Sequence, residues 1–219
     1  MKKMLFLLVV ASQIYTHDTD QDQYIFELIT GQKLQTVVPF MVEQRVAIFS
    51  GYPYFEGDTV AQKEYVQWFA ELPGVVAAVA YYNGLPVGFV TGIGFIELEP
   101  HFVGSSQLFQ DNGLDPKDFY YVPEAMITAE HRGKLLFQEL HDLIERHARG
   151  LGYKASCLLE ESHEQHPLKP ANYKGPEGAF VKAGYRKTQM FIPCSWATFQ
   201  PDGSVSNQEH ILRYWITLF

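Results

Sequence analysis

Arg132-Gly133-Lys134 stands between an extended apolar run, FYYVPEAMITA (119–129), and an amphipathic stretch, LLFQELHDLIERHARGLGY (135–153). A strand that feeds a helix in this way leaves the first helical N–H groups without intrahelical partners. With the positive end of the helix dipole they make a site for a pyrophosphate, and the Arg132 and Lys134 side chains reinforce it. A second stretch able to do chemistry runs from Glu160 to Tyr173 and gathers carboxylates, His163, His166 and the tyrosine after a predicted strand. Ligands of open α/β sheets bind at such carboxyl ends, although a solvated polar loop has the same composition. Two histidines three residues apart, with no clear third ligand, do not specify a metal, and none is expected.

The elements that must position these groups follow from periodicity. In the amphipathic stretch Leu136, Leu140, Leu143, Ile144, His147 and Leu151 recur at steps of three and four, with Glu139, Asp142, Glu145, Arg146 and Arg149 opposite, so the helix packs on one face. Tyr24 to Ile29 reads as a strand, and Gln32 to Ser50 as a helix in which Pro39 is a kink or a late start. Gly51 to Asp58 is a turn-rich loop; Thr59 to Leu72 is a second helix with Thr59 as N-cap, stopped at Pro73-Gly74. Val75–Tyr82 and Val87–Glu97 flank Asn83-Gly84, a strong short hairpin signal. Glu209 to Phe219 alternates aromatic and aliphatic residues and is expected to pair with a strand around Thr188 to Trp196. No linker or change in composition divides 22–219, so it reads as a single domain behind an apolar extension, 1–21.

Composition narrows the classes. Hydrophobic residues make up 47% of the chain, enough for a sizeable core. The net charge of −8, without a basic cluster beyond the Arg/Lys turn, disfavours sequence-independent nucleic-acid binding and favours cationic partners. Cys157 and Cys194 show no metal spacing and suit two buried free thiols in a reducing, cytoplasmic compartment. Against that, Met1-Lys2-Lys3, an apolar run from Met4 to Val10 and Val9-x-Ala11 look like a short secretory signal, so export is the alternative. The run is too short for a stable membrane span, which needs roughly 20 apolar residues. If it is kept, it must be covered by the domain or by a second copy, and a homodimer is left open.

The order of motifs resembles the acetyl-CoA region of the GNAT N-acetyltransferase superfamily. The resemblance rests on the strand, Arg132-Gly133 and a helix closing on Leu151-Gly152-Tyr153, on the Asn83-Gly84 hairpin, on Lys154 to Glu160 as a later strand, and on Glu177 to Tyr185 with its Lys-x-Gly-aromatic ending. It implies an α/β (α+β) fold with a mixed, mostly antiparallel sheet of about six or seven strands flanked by about four helices. It also implies an acetyl-CoA-dependent N-acyltransferase that moves an acetyl group to a primary amine, of a small molecule or a peptide, by direct attack in a ternary complex. Carried onto this chain, the cofactor residues are Ala125, Met126 and Ile127 for the pantetheine arm and Arg132, Gly133, Lys134, Leu135, Leu136 and Phe137 for the phosphates. Glu124 is the candidate base, with a structural ion pair as its other reading. Acceptor amines fall to Tyr52, Tyr54, Phe55, Glu56 and Glu160, an aromatic and acidic set suited to a cation, though an aromatic loop also serves as a packing plug. Two departures stand out. Leu135 and Phe137 occupy glycine positions of the motif, and Phe180 replaces the tyrosine that serves many members as acid, so Tyr173 and His166 are the candidates for that role. The departures also admit a catalytically silent CoA-binding or sensing module.

Overall fold

The computed structural model of the chain describes residues 14–17, 24–98, 104–161 and 168–219. His163, His166 and the apolar run 4–10 lie outside the described residues. In chain order the elements are β1 (Ile14–His17), β2 (Tyr24–Thr30), α1 (Val38–Phe49), α2 (Thr59–Glu71), β3 (Val76–Tyr82), β4 (Leu85–Gly94), α3 (Ser105–Asp111), β5 (Phe119–Tyr121), β6 (Ala125–Ile127), α4 (Leu136–Gly150), β7 (Ala155–Glu161), α5 (Glu177–Lys182), β8 (Arg186–Phe199) and β9 (Val205–Leu218). The strands form one sheet in the order β1-β2-β3-β4-β5-β7-β9-β8, with β6 also on β4. Every pairing is antiparallel except β5 with β7.

This is the mixed, mostly antiparallel sheet expected from sequence, with nine strands rather than six or seven among the described residues. The expected strand over 119–128 breaks into β5 and β6, and Ile14–His17 adds an edge strand on β2. The sheet has a helical layer on each face. Val38 and Met41 of α1 and Val66 and Phe69 of α2 pack against Ala77, Val79, Phe89 and Ile93. Leu136, Leu140, Leu143 and Ile144 of α4 pack against Val76, Ala78 and Val90 on the other face, together with Phe180 of α5. β3 is therefore buried on both faces. Its run of alanines and valines lets helices approach from either side, which is why no polar alternation appears in its sequence.

Local chemistry explains the smaller differences. Pro39 lies in the first turn of α1, after a 3-10 turn over Gly31–Thr36, so the late start is the observed one. Asp58, not Thr59, caps α2, its carboxylate accepting from the Val60 and Ala61 N–H groups at 3.0 and 2.9 Å. Asn83 and Gly84 have φ of 51° and 78°, the left-handed pair that a two-residue hairpin with matching twist requires. On α4, Leu151 is 60% exposed, and His141 rather than His147 is fully buried. Its Nε2 bonds the Tyr185 hydroxyl at 2.8 Å, which in turn meets Ser156 Oγ at 2.7 Å.

β9 lies between β7 and β8, and its Leu212–Leu218 half makes the whole of its pairing with β7. Truncation before Ile211 is expected to abolish soluble expression and the near-ultraviolet circular dichroism of the folded chain; a stable, soluble truncated protein would contradict this placement.

Candidate functional site

The sheet opens where β5 gives way to β6. Ile93 of β4 faces Tyr121, but Val90 faces Ala125, so Thr91 and Gly92 oppose the three residues Val122 to Glu124. The extra residue is a bulge next to Pro123, which has no N–H to offer a ladder. The Val122 N–H is the last to reach β7, donating to the Cys157 carbonyl at 2.9 Å. Beyond it β6 pairs only with β4, and β7 continues with β9, so the two strands diverge. A cavity of ≈ 270 Å³ fills the gap. Ala125, Met126 and Ile127 line one side and Leu158 and Leu159 the other, with Ile48 and Phe49 of α1 at one end and Phe137 and Phe180 at the other. The cleft thus passes between the two helical layers.

The start of α4 faces this cleft. Arg132 lines it and donates from Nε to the Ile127 carbonyl at 3.0 Å, which ties the turn to β6. Gly133 has φ 78° and Leu135 φ 61°. Only the former is a residue that adopts this region without strain. Of the two large residues at glycine positions, Leu135 is 70% exposed, entering neither the core nor the cleft lining, whereas Phe137 packs toward Phe180 at 6.3 Å and narrows the cleft. Leu136 is core, and Lys134 lies over the rings of Tyr24 and Tyr82 at 5.7 and 5.9 Å.

Glu124 lies in the partition at the head of the cleft, only 4% exposed. Arg45 Nη1 donates to its Oε1, and Arg45 Nη2 reaches Glu56 Oε2 at 3.2 Å. The guanidinium also sits over Phe49 and Tyr65, 4.1 and 4.4 Å from the ring centroids. Arg45 is thus clamped between two carboxylates and two rings. Glu124 Oε2 is buried without a hydrogen-bond partner among the described residues.

A second cavity of ≈ 190 Å³ adjoins the first, sharing the walls Phe49, Tyr54, Pro123 and Leu159. Its remaining lining includes Arg45, Glu56, Tyr65, Tyr121, Glu161, Cys194 and Trp196. Burial, reinforced by the charge of Glu56, pushes the Glu161 carboxyl up to about 9. Its Oε1 meets His210 Nδ1 at 2.5 Å, His210 Nε2 meets Thr198 Oγ1 at 2.9 Å, and the imidazole stacks on Trp196 at 3.4 Å. Trp196 Nε1 in turn donates to the Tyr54 carbonyl at 3.0 Å, which fastens the 51–58 loop to β8.

The residues expected from sequence divide accordingly. Glu124, Ala125, Met126, Ile127, Arg132 and Phe137 meet at the cleft, and Tyr54 and Glu56 at the second cavity. Tyr52 and Phe55 line neither; Tyr52 packs edge-on against Phe55 at 5.9 Å and against Tyr173 at 4.6 Å. Glu160 turns to the opposite face, where its Oε2 accepts from Trp215 Nε1 at 2.7 Å. Its neighbour Glu161 faces the cavity instead. Sequence reasoning missed Arg45, Tyr65, Glu161, Trp196 and His210. Only the alternation along β7 could have separated Glu161 from Glu160, and a strand buried on both faces hides that parity. Elsewhere, His141, Asp142 and Glu145 of α4 bring their ligand atoms within 4.8 Å of one another, with His141 Nε2 held by Tyr185.

Neither a protein-family model nor a curated protein matches the sequence. Solved structures do match. An aminoglycoside 6′-N-acetyltransferase complexed with coenzyme A superposes with a TM-score of 0.52 at 12% identity, over 87% of this chain and 96% of that one. The ribosomal-protein-alanine N-acetyltransferase of Brucella melitensis gives 0.53 at 12%, over 88% and 99%. A protein of Desulfovibrio desulfuricans described as an acetyltransferase of the GNAT family gives 0.50 at 10%, over 87% and 97%. The chain has the GNAT fold. At such identities the likeness extends to the fold, so what the GNAT scaffold does here has to be argued from its own cavities.

Substitutions at two positions test this geometry. Leu135→Gly removes the left-handed strain of an exposed side chain and is expected to stabilise the protein by about 1 kcal/mol in urea denaturation; Leu135→Ala keeps the strain and should not. Arg45→Met leaves Glu124 buried and unpaired and should cost about 3–5 kcal/mol. A loss below about 1 kcal/mol would show that the pair is not desolvated.

Proposed function

We propose that the protein is an acetyl-CoA-dependent N-acyltransferase that moves an acetyl group to a primary amine by direct attack in a ternary complex. The observation that carries this reading is the pair of cavities sharing one wall at the bulge, one running between the diverging strands to the start of α4 and the other ending in carboxyl groups. The first suits a long donor with a phosphorylated end. The free edge of β6 offers backbone groups to the amides of a pantetheine arm, as an added strand would take them. The N–H groups at the start of α4, with Arg132 and Lys134, suit the pyrophosphate. Acetyl-CoA supplies the activated acyl group. Close approach at Gly133 remains available, since a side chain there would meet no neighbour in the protein itself.

Glu124 stands where both ligands would converge. Its Oε2 takes the proton of the attacking amine, directly or through water, while Arg45 holds Oε1. As the nitrogen bonds to the acyl carbon the carbon–sulfur bond breaks, and the departing thiolate needs a proton. Tyr173 and His166 are the candidates for that donor. The Tyr173 hydroxyl is lifted by burial and by Tyr52, which keeps it protonated. Acceptors are small-molecule or peptide amines approaching from the 51–58 loop, the compartment is cytoplasmic, and the first 21 residues are an extension of one acyltransferase domain. A silent CoA-binding module is the second reading, favoured by Phe180, whose ring lines the cleft.

Titration calorimetry with CoA checks the site. Gly133→Glu should abolish measurable binding, and Arg132→Ala should weaken it by about 1–3 kcal/mol. Phe137→Ala, which widens the cleft, should bind no worse than the parent. Tight CoA binding by Gly133→Glu would remove the site assignment. Thiol release from acetyl-CoA with a panel of amines separates the two readings, because CoA binding without release across the panel supports the silent module.

A further inference from the structure

The second cavity has features that acyl transfer alone does not require. A cavity of about 150 Å³ with apolar walls admits benzene, so ≈ 190 Å³ leaves room for one ring, or its aliphatic equal, and a short arm. Phe49, Tyr54, Tyr65 and Trp196 give it aromatic walls. Among the described residues, the charged and titratable groups facing it are Arg45, Glu56, Glu161, Tyr54, Tyr65, Tyr121 and Cys194, with His210 behind Glu161 and Glu124 beyond Arg45. Burial lifts the three tyrosines and Cys194, so they stay neutral near pH 7. Arg45 is taken up by Glu124 and Glu56. Among these described groups one guanidinium stands against three carboxyl groups, and the Glu161 carboxyl bonds an imidazole.

We propose that this cavity binds a compact primary ammonium compound with an apolar body and no acidic group, its charge held at Glu161 and Glu56 among the aromatic rings. His210 is the positioning residue. When the ammonium arrives, the Glu161 proton passes to His210 Nδ1, leaving a carboxylate to face the ligand. The imidazolium then donates from Nε2 to Thr198 Oγ1, whose hydroxyl donates to the Trp196 carbonyl at 3.2 Å, and its charge lies flat on the Trp196 ring. Every proton in that chain has an acceptor. Among the described residues a ligand carboxylate has no such place, because the guanidinium of Arg45 is engaged twice. The assignment names the acceptor class of the proposed acyl transfer and rests on that reading only for the fate of the amine.

Calorimetric titration of the full-length protein with benzylamine, benzyl alcohol and phenylalanine, each with and without saturating CoA near neutral pH, tests it. Benzylamine should bind at least about tenfold more tightly than the alcohol, as expected for a charge-assisted contact, and phenylalanine no more tightly than the alcohol. Glu161→Gln, which keeps the shape, should bring the amine to within about threefold of the alcohol, with CoA affinity and Tm near those of the parent. Equal binding of amine and alcohol by the unaltered protein, binding of neither, or tightest binding of phenylalanine overturns the assignment without any variant. If benzylamine binds as expected and acetyl-CoA releases no thiol, the ammonium site stands and the acyltransferase reading falls; with thiol release but no amine selectivity, the acyltransferase reading stands and the ammonium site falls.

Discussion

Everything at the candidate site depends on one irregularity in the sheet, the extra residue between Tyr121 and Ala125. A regular strand would have kept pairing with β7 and closed the sheet with hydrogen bonds, leaving no space for a ligand. Pro123 withdraws a donor, Thr91 N–H bonds the Glu124 carbonyl at 2.9 Å, and the chain rejoins β4 one residue out of step. An opening through the middle of a sheet exposes backbone groups on two strands, which is costly unless something else satisfies them. Part of the answer is Arg132, whose Nε donates to the Ile127 carbonyl and links the opening to the start of α4.

Electrostatics at the opening follows from burial. Glu124 is carried into the partition by the same bulge and would be costly there alone. Arg45, on the α1 turn that faces it, supplies the charge, and Phe49 and Tyr65 cover the guanidinium. A planar cation with several donors suits this place better than a lysine would, because it satisfies two carboxylates at once while stacking on rings. The result is a fixed charge pattern. Glu124 is tied to a cation, whereas Glu161, two residues beyond Leu159 on β7, bonds an imidazole and has a raised proton affinity. Two carboxyl groups in neighbouring cavities can therefore take different roles.

The helix with its preceding Arg-Gly turn, the Asn-Gly hairpin and the apolar terminal strand were all legible, because each depends on contacts within a few residues or on a period that sequence displays directly. The partition of site residues was much less legible. Glu124 could be placed beside the strand but not paired with Arg45, seventy-nine positions earlier. Tyr52 and Tyr54 are equivalent in a turn-rich segment, yet one packs on Tyr173 and the other lines both cavities. The substitutions at the glycine positions could not be judged either. Leu135, itself left-handed, points to solvent and Phe137 lines the cleft.

By itself the sequence determined the order of the main helices and strands, the strand-to-helix turn at Arg132-Gly133 and the excess of carboxyl groups, since local periodicity and composition carry that information. Only the tertiary structure decided which of Glu160 and Glu161 faces a cavity, which cation neutralises Glu124, and that Trp196 lines the second cavity with His210 stacked behind it. Those outcomes depend on strand register and on contacts between segments far apart in the chain. A one-residue shift in register reverses every side chain on a strand, and no short stretch of sequence fixes it.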